Sequence, residues 1–418
     1  VNLIVIRDAR YEIRDEELIR VLAPRGRIIA PAGARIPHPV SRVGDDCVMF
    51  AKPVPSDIDE WTHYLHGPDN NAVADDTSVG PPRHLQWVGG PLWSRHHEHM
   101  SSMNAMVSAG GRIFYVMDEG SRASIQLPPN WKLIAQDALN GTVVWKRVLP
   151  RWCVLNYPLS AGPADLPRRL VAVGDRVYVP LGIDQPLSVL DAATGQTLKT
   201  YEPSRAAEEV LLADDVLLIV ANPNVPKVDR FEWDEPLCWW VNYKAINARA
   251  WNKKERTLLA MAAHSGEVLW QVTDSIAPVT LAADDLHVVY HNGDKVVCFD
   301  RASGTRRWES ESLRVQDDRF PTQFASTLVL AEDVVLFAGG DRKMTALAAA
   351  DGKTLWQARH HRAGHMSPED ILVVGGMAWT GGLADREKNN VWTGYDLRTG
   401  EVKKEFSPDI KSYWFHQR

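Results

Sequence analysis

A short sequence motif with a glycine near its centre or end occurs six times along this chain. Its first copy spans residues 137–145 and reads Asp-Ala-Leu-Asn-Gly-Thr-Val-Val-Trp. The other copies lie at 191–195, 264–270, 300–308, 351–356 and 396–400. A recurring phrase of this size marks one structural module copied along the chain, so it predicts a repeat architecture.

Each copy is preceded by two apolar runs that flank a two-residue turn. The predicted turns are Gly110-Gly111, Gly174-Asp175, Asp214-Asp215, Asp284-Asp285, Glu332-Asp333 and Gly375-Gly376. Such pairs are typical of tight hairpins, because they tolerate positive φ. Since the glycine phrase is a second tight turn, each unit contains four strands, named a to d.

The repeated unit predicts an all-β fold, a β-propeller of four-stranded blades with six blades visible, from a ring of seven or eight. The strand-d tryptophans are predicted to pack between neighbouring blades; they are Trp145, Trp270, Trp308 and Trp356. Extra length falls only in the b–c and d–a connections, which an antiparallel meander places on one face. We expect ligands to bind on that loop-rich face or at the central channel.

Composition narrows the possible partners. The chain has 418 residues and a formal net charge of −6, without a cluster of Lys and Arg. Nucleic acid is therefore excluded as a main partner, because neutralising phosphates requires concentrated positive charge. No apolar stretch reaches the roughly 18–20 residues that span a bilayer. The four cysteines are widely spaced, without a C-x-x-C pair, and are expected to be buried or unreactive thiols.

The first 52 residues follow a different rhythm. A strand at 1–6, a helix at 15–22 and a strand at 27–30 predict a small α/β segment. Residues 53–98 are a Pro- and Gly-rich connector, expected to wrap the side or face of the propeller, which we place at 99–418. Both ends are expected to be cut from a longer protein, because Arg418 falls where a seventh unit would begin.

Two resemblances follow from these residues. The α/β segment, with Pro-Arg-Gly at 24–26 before its second strand, resembles the late part of a class I methyltransferase domain, here truncated. The glycine-rich loop that holds S-adenosylmethionine in such domains is absent, so that cofactor is not expected in this fragment. The phrase Asp-x-x-Thr-Gly-x-x-Leu-Trp resembles the PQQ-like propeller repeat, whose family includes quinoprotein dehydrogenases and BamB-type scaffolds of outer-membrane assembly.

A narrower resemblance concerns three motifs, at residues 59–66, 95–100 and 110–120. They are similar to those of planctomycete-type envelope proteins that join a methyltransferase-like domain to such a propeller. This resemblance implies a periplasmic, envelope or secreted location. The quinoprotein dehydrogenases use a vicinal disulfide, a Trp platform and calcium; no two cysteines are adjacent here, so PQQ is disfavoured as a cofactor.

Histidines and charged residues gather at equivalent d–a connections. Because these connections enter the innermost strands, their side chains are expected at the channel mouth, where imidazoles and carboxylates could bind a divalent metal or act as acid and base. The candidate catalytic residues are His97, His99, Asp118, Glu119 and His365, and the candidate metal ligands are His97, His99 and His365. The candidate ligand-binding residues are His96, His360, His361, Arg168 and Arg169.

A long excursion in the third unit, from Asn222 to Glu255, carries further aromatic candidates. Aromatic side chains in a surface loop can stack on sugar rings or seat a partner, or can form a small core that anchors the loop. The candidates are Trp233, Trp239, Trp240 and Trp251.

Three functions remain open from the sequence. The first is a binding scaffold of the envelope that presents its loop-rich face to a polysaccharide or a protein. The second is a metal-assisted carbohydrate lyase or hydrolase that uses the His/Asp/Glu cluster. The third, least favoured, is a PQQ-dependent dehydrogenase.

Overall fold

The chain forms two compact units in a computed structural model. It describes residues 3–7, 15–34, 36, 39–78, 80, 85, 87–90, 102–123, 127–152, 166–224, 253–315, 326–360, 369–381 and 391–407. One unit comprises Val1–Glu60, Ala74–Gly90 and Asp137–Thr142, and the other comprises Trp61–Val73, Pro91–Gln136 and Val143–Arg418. No described helix is long and apolar enough to cross a membrane.

The first unit contains a four-stranded mixed sheet and one helix. Its elements are β1 (Leu3–Val5), α1 (Asp15–Val21), β2 (Arg27–Pro31), β3 (Ser41–Val43) and β4 (Cys47–Ala51). The strand order is β1-β2-β4-β3, with β1 parallel to β2 and the other pairs antiparallel. The predicted strand–helix–strand rhythm is confirmed, whereas the β3–β4 hairpin was not predicted.

The second unit contains six four-stranded antiparallel sheets, and each runs a-b-c-d in sequence order. Blade 1 contains β5 (Met103–Ala109), β6 (Arg112–Asp118), β7 (Trp131–Asp137) and β8 (Val143–Val148); blade 2 contains β9 (Val171–Val173), β10 (Arg176–Pro180), β11 (Leu187–Asp191) and β12 (Thr197–Tyr201); blade 3 contains β13 (Ala207–Ala213), β14 (Val216–Ala221), β15 (Arg256–Ala262) and β16 (Val268–Asp274). Blade 4 contains β17 (Ala282–Ala283), β18 (His287–His291), β19 (Val296–Asp300) and β20 (Arg306–Glu309); blade 5 contains β21 (Thr327–Ala331), β22 (Val334–Ala338), β23 (Lys343–Ala348) and β24 (Thr354–Arg359); blade 6 contains β25 (Leu372–Val374), β26 (Met377–Gly381), β27 (Trp392–Asp396) and β28 (Val402–Phe406). Two short 3-10 helices, Leu166–Arg169 and Glu202–Ser204, lie before β9 and after β12.

Five of the six predicted a–b turns lie where the sequence places them. In blade 4 the turn is centred on Asp285 and Leu286, one residue later than predicted. The carboxylate of Asp284 accepts hydrogen bonds from the backbone N–H groups of Leu286 and His287, at 2.8 and 2.6 Å. Asp284 therefore closes the turn from its first position instead of lying at its centre.

Strand a is the innermost strand of each blade. The first strands of consecutive blades contact one another from β5 through β9, β13 and β17 to β21. Apolar clusters fill the space between each pair of neighbouring blades. Since every blade is a plain meander, the a–b and c–d turns lie at one end of the strands, called the short-turn end. The longer b–c and d–a connections lie at the other end, called the loop end.

A tryptophan of one blade fits onto the glycine turn of the next blade. The indole Nε1 of Trp270 donates a hydrogen bond of 2.8 Å to the carbonyl of Arg301, in the c–d turn of blade 4. A Cβ placed on Gly304 of that turn would lie 2.5 Å from the Trp270 ring. The same pair of contacts joins Trp145 to Ala192 and Gly195, Trp308 to Ala349 and Gly352, and Trp356 to Leu397 and Gly400. The predicted packing of these four tryptophans between blades is confirmed.

Between blades 2 and 3, no described tryptophan lies on the glycine turn. Blade 2 has Lys199 at the tryptophan position, and the Tyr201 hydroxyl donates a 2.5 Å hydrogen bond to the carbonyl of Ala263. Lys199 donates to the carbonyl of His264 at 3.2 Å, so two side chains replace one indole. Within the first unit, Trp87 donates to the carbonyl of Ala138 at 2.9 Å and meets Gly141 in the same way as the blade tryptophans.

The tryptophan–glycine contact predicts a difference between two glycine substitutions. Gly304 and Gly174 both have positive φ, 68° and 58°, but an added Cβ meets the Trp270 ring at Gly304 and nothing within 4 Å at Gly174. Gly174→Ala should cost about 1–2 kcal/mol of unfolding free energy from backbone strain alone. Gly304→Ala should cost about 1–3 kcal/mol more, because it displaces the indole. Urea unfolding of both variants measures the difference, and equal losses would contradict this account of the turn.

Candidate functional site at the propeller axis

Residues 61–73, called the axial segment, lie among the inner strands of all six blades. The inner edge of a blade exposes backbone N–H groups of strand a that need hydrogen-bond partners. One such group in each blade, the second residue before the a–b turn, donates to the axial segment. These residues are Ser108, Ala172, Leu212, Ala283, Leu330 and Val373.

The first part of the axial segment binds blades 1 to 3 in order. The amide of Ser108 donates to the Trp61 carbonyl at 2.7 Å, and that of Ala172 donates to the Thr62 carbonyl at 3.0 Å. The amide of Leu212 donates to Nε2 of His63, also at 3.0 Å. Consecutive residues thus satisfy consecutive blades.

The second part binds blades 4 to 6, again in order. Pro68 and Asp69 accept from the amides of Ala283 and Leu330 through their carbonyls, at 2.8 and 3.0 Å. The Asn71 side chain then forms two bonds with blade 6. Its Oδ1 accepts from the Val373 amide at 2.9 Å, and its Nδ2 donates to the Val373 carbonyl at 3.0 Å.

The structure thus places this part of the connector at the propeller axis, near the short-turn end. Six backbone donors converge at the axis, and each gains a hydrogen bond worth about 1 kcal/mol that would otherwise require water. The segment's irregular sequence suits this role, because it presents single carbonyls and short polar side chains rather than a continuous strand.

A buried polar cluster centres on Arg168 and Asn70. Nη1 of Arg168 donates to Oδ1 of Asn70 at 2.6 Å, and Nε donates to Oε2 of Glu209 at 3.3 Å. Nη2 donates to the carbonyl of Leu281 at 2.6 Å. The side chains of Arg168 and Glu209 are 1% and 3% exposed, so this ion pair is shielded from water. Each charge has its partner inside the fold.

Their sequence neighbours also make structural contacts. Arg169 donates to the carbonyl of Trp152 at 3.0 Å and lies over its ring, 5.8 Å from the centroid. Glu208 accepts from Nε of Arg256 at 3.1 Å. The candidate ligand-binding residues Arg168 and Arg169 are therefore both buried and bound to neighbouring parts of the propeller.

The two acidic candidates lie at the end of β6. Oδ1 of the buried Asp118 accepts from the amides of Gly120 and Asn130, both at 2.8 Å. Glu119 forms ion pairs with Lys132 and Lys146, at 2.7 and 2.5 Å. Burial opposes ionisation of Glu119, but hydrogen bonds from the two lysines outweigh it and lower the pKa of the carboxyl. Glu119 is therefore held as a carboxylate.

One histidine candidate is described, and it lies in blade 5. His360 is 1% exposed, and its Nε2 lies 2.7 Å from the carbonyl of Asp370. The other candidates lie outside the described residues: His96, His97, His99, His361, His365, Trp233, Trp239, Trp240 and Trp251. Within the described part of the chain, no group of three or more His, Cys, Asp and Glu side chains could hold a metal ion. The convergence of imidazoles at the channel mouth stays a prediction.

Two buried histidines were not singled out from the sequence. Burial, with a smaller contribution from the nearby Arg168, lowers the pKa of His63 to about 3. Burial likewise lowers the pKa of His291 to about 4. Both rings therefore stay neutral, and Nε2 of the neutral His63 can accept the hydrogen bond that the Leu212 amide donates. No local pattern distinguishes these residues from surface histidines, because their partners are remote in sequence.

The repeat has relatives among known proteins. Residues 254–407 match the family described as "Outer membrane protein assembly factor BamB". No curated protein sequence matches the chain.

Solved structures show the same fold at low sequence identity. A europium-containing methanol dehydrogenase is 8% identical, with 84% of this chain and 79% of that chain covered and a TM-score of 0.52. The quinohemoprotein alcohol dehydrogenase from Comamonas testosteroni is 10% identical, with 84% and 67% covered and a TM-score of 0.50. BamB from Moraxella catarrhalis is 16% identical over 73% of both chains, with a TM-score of 0.44. The likeness to the two dehydrogenases establishes the propeller fold.

The neutral buried histidines predict a pH-dependent stability. Below pH 6.5 the unfolded chain takes up protons that His63 and His291 in the folded state do not, so the free energy of unfolding falls as the pH is lowered. Each ring contributes up to about 1.4 kcal/mol per pH unit between pH 6.5 and its folded pKa. Urea unfolding between pH 7 and pH 5 measures the slope. His63→Gln should reduce it, whereas His264→Gln, at an exposed turn, should not; equal slopes in all three proteins would contradict the assignment.

The buried ion pair predicts a large effect of a single substitution. Arg168→Met removes the cation beside the buried Glu209 and should cost about 3–5 kcal/mol of unfolding free energy. The control Arg398→Met breaks a pair with Asp333 in which both side chains are well exposed, and should cost at most about 1 kcal/mol. Adding Glu209→Gln to Arg168→Met should restore part of the loss. Chemical denaturation of the three variants checks this, and similar costs for Arg168→Met and Arg398→Met would contradict it.

Proposed function

Because this chain is a β-propeller of the PQQ-like repeat type, we propose that it is a binding scaffold of the cell envelope that holds a protein partner at its loop end. The observation that carries the proposal is the engagement of the described polar candidates in structural contacts. Arg168, Glu119 and Asp118 all hold parts of the propeller together. A scaffold requires such rigidity and needs no reacting group at its axis.

The distribution of chain length supports binding at the loop end. The a–b and c–d turns are short in every blade, whereas the connections at the opposite end include residues 222–255 between β14 and β15. Loops can vary without disturbing the stacked sheets, and they are where scaffolds of this kind present binding residues. The aromatic candidates Trp233, Trp239, Trp240 and Trp251 belong to that long connection.

The matching family favours a protein over a polysaccharide as the partner. Its description names a factor in outer-membrane protein assembly, and the match covers blades 4 to 6 with part of blade 3. An envelope location is proposed on the same basis. For the first unit we propose a methyltransferase-like fold, which the strand order β1-β2-β4-β3 with an antiparallel β4 supports.

Site-specific photo-cross-linking tests the proposed binding end. A photoreactive residue is placed at Arg122 or Glu311, in connections of the loop end, or at the exposed Asp175 or Asp215, in short a–b turns. Each protein is mixed with a detergent-solubilised envelope fraction. We expect a discrete protein adduct from the loop-end positions that excess unlabelled chain competes away. Adducts of equal yield from both ends, or none from the loop end, would contradict the proposal.

A further inference from the structure

The axial segment lies at the centre of the inner strands and is bound by all six blades. We propose that residues 61–73 are a permanent peptide ligand of the channel, which joins blades 1–3 to blades 4–6, and that the described charged residues beside it do not fit an anionic quinone such as PQQ. This role is separate from the scaffold role, because it concerns the axis of the propeller and not its loop end.

The first support is the position of the contacts. All six donating amides are equivalent residues of strand a, two positions before the a–b turn. The segment therefore lies across the short-turn end of the channel at one level. Six equivalent donors that converge on thirteen consecutive residues form a built peptide site rather than chance packing.

The second support is the order of the contacts along the segment. Residues 61–63 serve blades 1–3, and residues 68–71 serve blades 4–6. Between them the chain makes a tight turn, closed by paired backbone hydrogen bonds of 3.2 and 3.1 Å between His63 and His66. The buried Leu65 of this turn packs against Val279 of the connection before blade 4. One short peptide thus ties the two halves of the ring together.

The side chain of Asn70 connects three separate parts of the propeller. Its Nδ2 donates to the carbonyls of Leu281 and Leu328, beside blades 4 and 5, at 2.9 and 3.0 Å. Its Oδ1 accepts from Arg168, which precedes blade 2. Asn70 is 1% exposed and has a φ of 64°, a conformation that asparagine tolerates better than most residues.

The charge at the axis does not suit an anionic quinone. The carboxylates of PQQ require an unpaired cation, whereas the Arg168 guanidinium is paired with Glu209 and also donates to Asn70 and the Leu281 carbonyl. Binding an anion there would break a buried ion pair, which costs several kcal/mol. The described residues at the axis therefore do not fit an anionic quinone.

Hydrogen exchange of the full chain tests the linking role. Asn70→Gly removes the side chain and keeps the backbone conformation accessible, since glycine adopts positive φ readily. We expect the amides of Ala283 and Leu330 to exchange at least about tenfold faster, because the three hydrogen bonds of the Asn70 side chain are lost. The amide of Ser108 in blade 1, which donates to the carbonyl of Trp61, is the internal reference and should change little.

A matched variant separates this role from a general loosening. His66→Gly removes another side chain with positive φ, 71°, from the same segment, where its ring packs edge-on against Trp61 at 5.2 Å. It should leave the amides of Ala283 and Leu330 protected. Unchanged exchange in Asn70→Gly, or the same increase in both variants, would overturn the proposed link.

A binding titration tests the exclusion of the cofactor. The full chain is titrated with PQQ in the presence of Ca²⁺, and bound PQQ is measured by equilibrium dialysis and by quenching of tryptophan fluorescence. We expect no saturable binding by either readout. Saturable binding of PQQ by either readout would overturn the proposal, since it would show that the folded chain admits the quinone.

Discussion

The left-handed glycine in each c–d turn is the contact on which the propeller depends. Its φ lies between 68° and 75° in the six turns, and its missing Cβ lets a side chain from the preceding element lie flat on the turn. An indole there gains a hydrogen bond to the turn carbonyl and buries its rings between two sheets. Between blades 2 and 3, Lys199 and Tyr201 take the place of the indole. Because a side chain thus meets the glycine turn at each junction between the described blades, the contact fixes how one blade is set against the next and brings the strands a together.

The convergence of the inner strands creates a polar problem that the axial segment solves. Six N–H groups point inward at one level, and a buried donor without a partner costs about 1–3 kcal/mol. The axial segment accepts hydrogen bonds from all six N–H groups, through four carbonyls, one imidazole and one amide side chain. The low pKa of His63 follows from the same arrangement, since burial at the axis keeps its ring neutral and able to accept.

The repeat made much of the fold predictable, because each blade is encoded locally. Turn residues and tryptophans lie within one unit, so Trp145 and Gly195 could be assigned their roles from the sequence. The exceptions have local causes, as with Asp284, which closes its turn from the first position. The axial segment could not be predicted, because its partners are remote: Asn71 meets Val373, and Asn70 meets Leu281.

Residue type alone did not predict whether the charged groups near the axis bind a ligand or hold the propeller together. Arg168 was expected among the charged groups at the channel mouth, and it does lie beside the axial segment, but it is paired with Glu209 and bound to Asn70 of the segment. Charged residues near the centre of a propeller can serve either a ligand or the ring itself. Here Arg168 and Glu209 serve the propeller itself. The tryptophan–glycine contacts and the axial segment hold the blades near the short-turn end, so the connections of the loop end can differ in length from blade to blade.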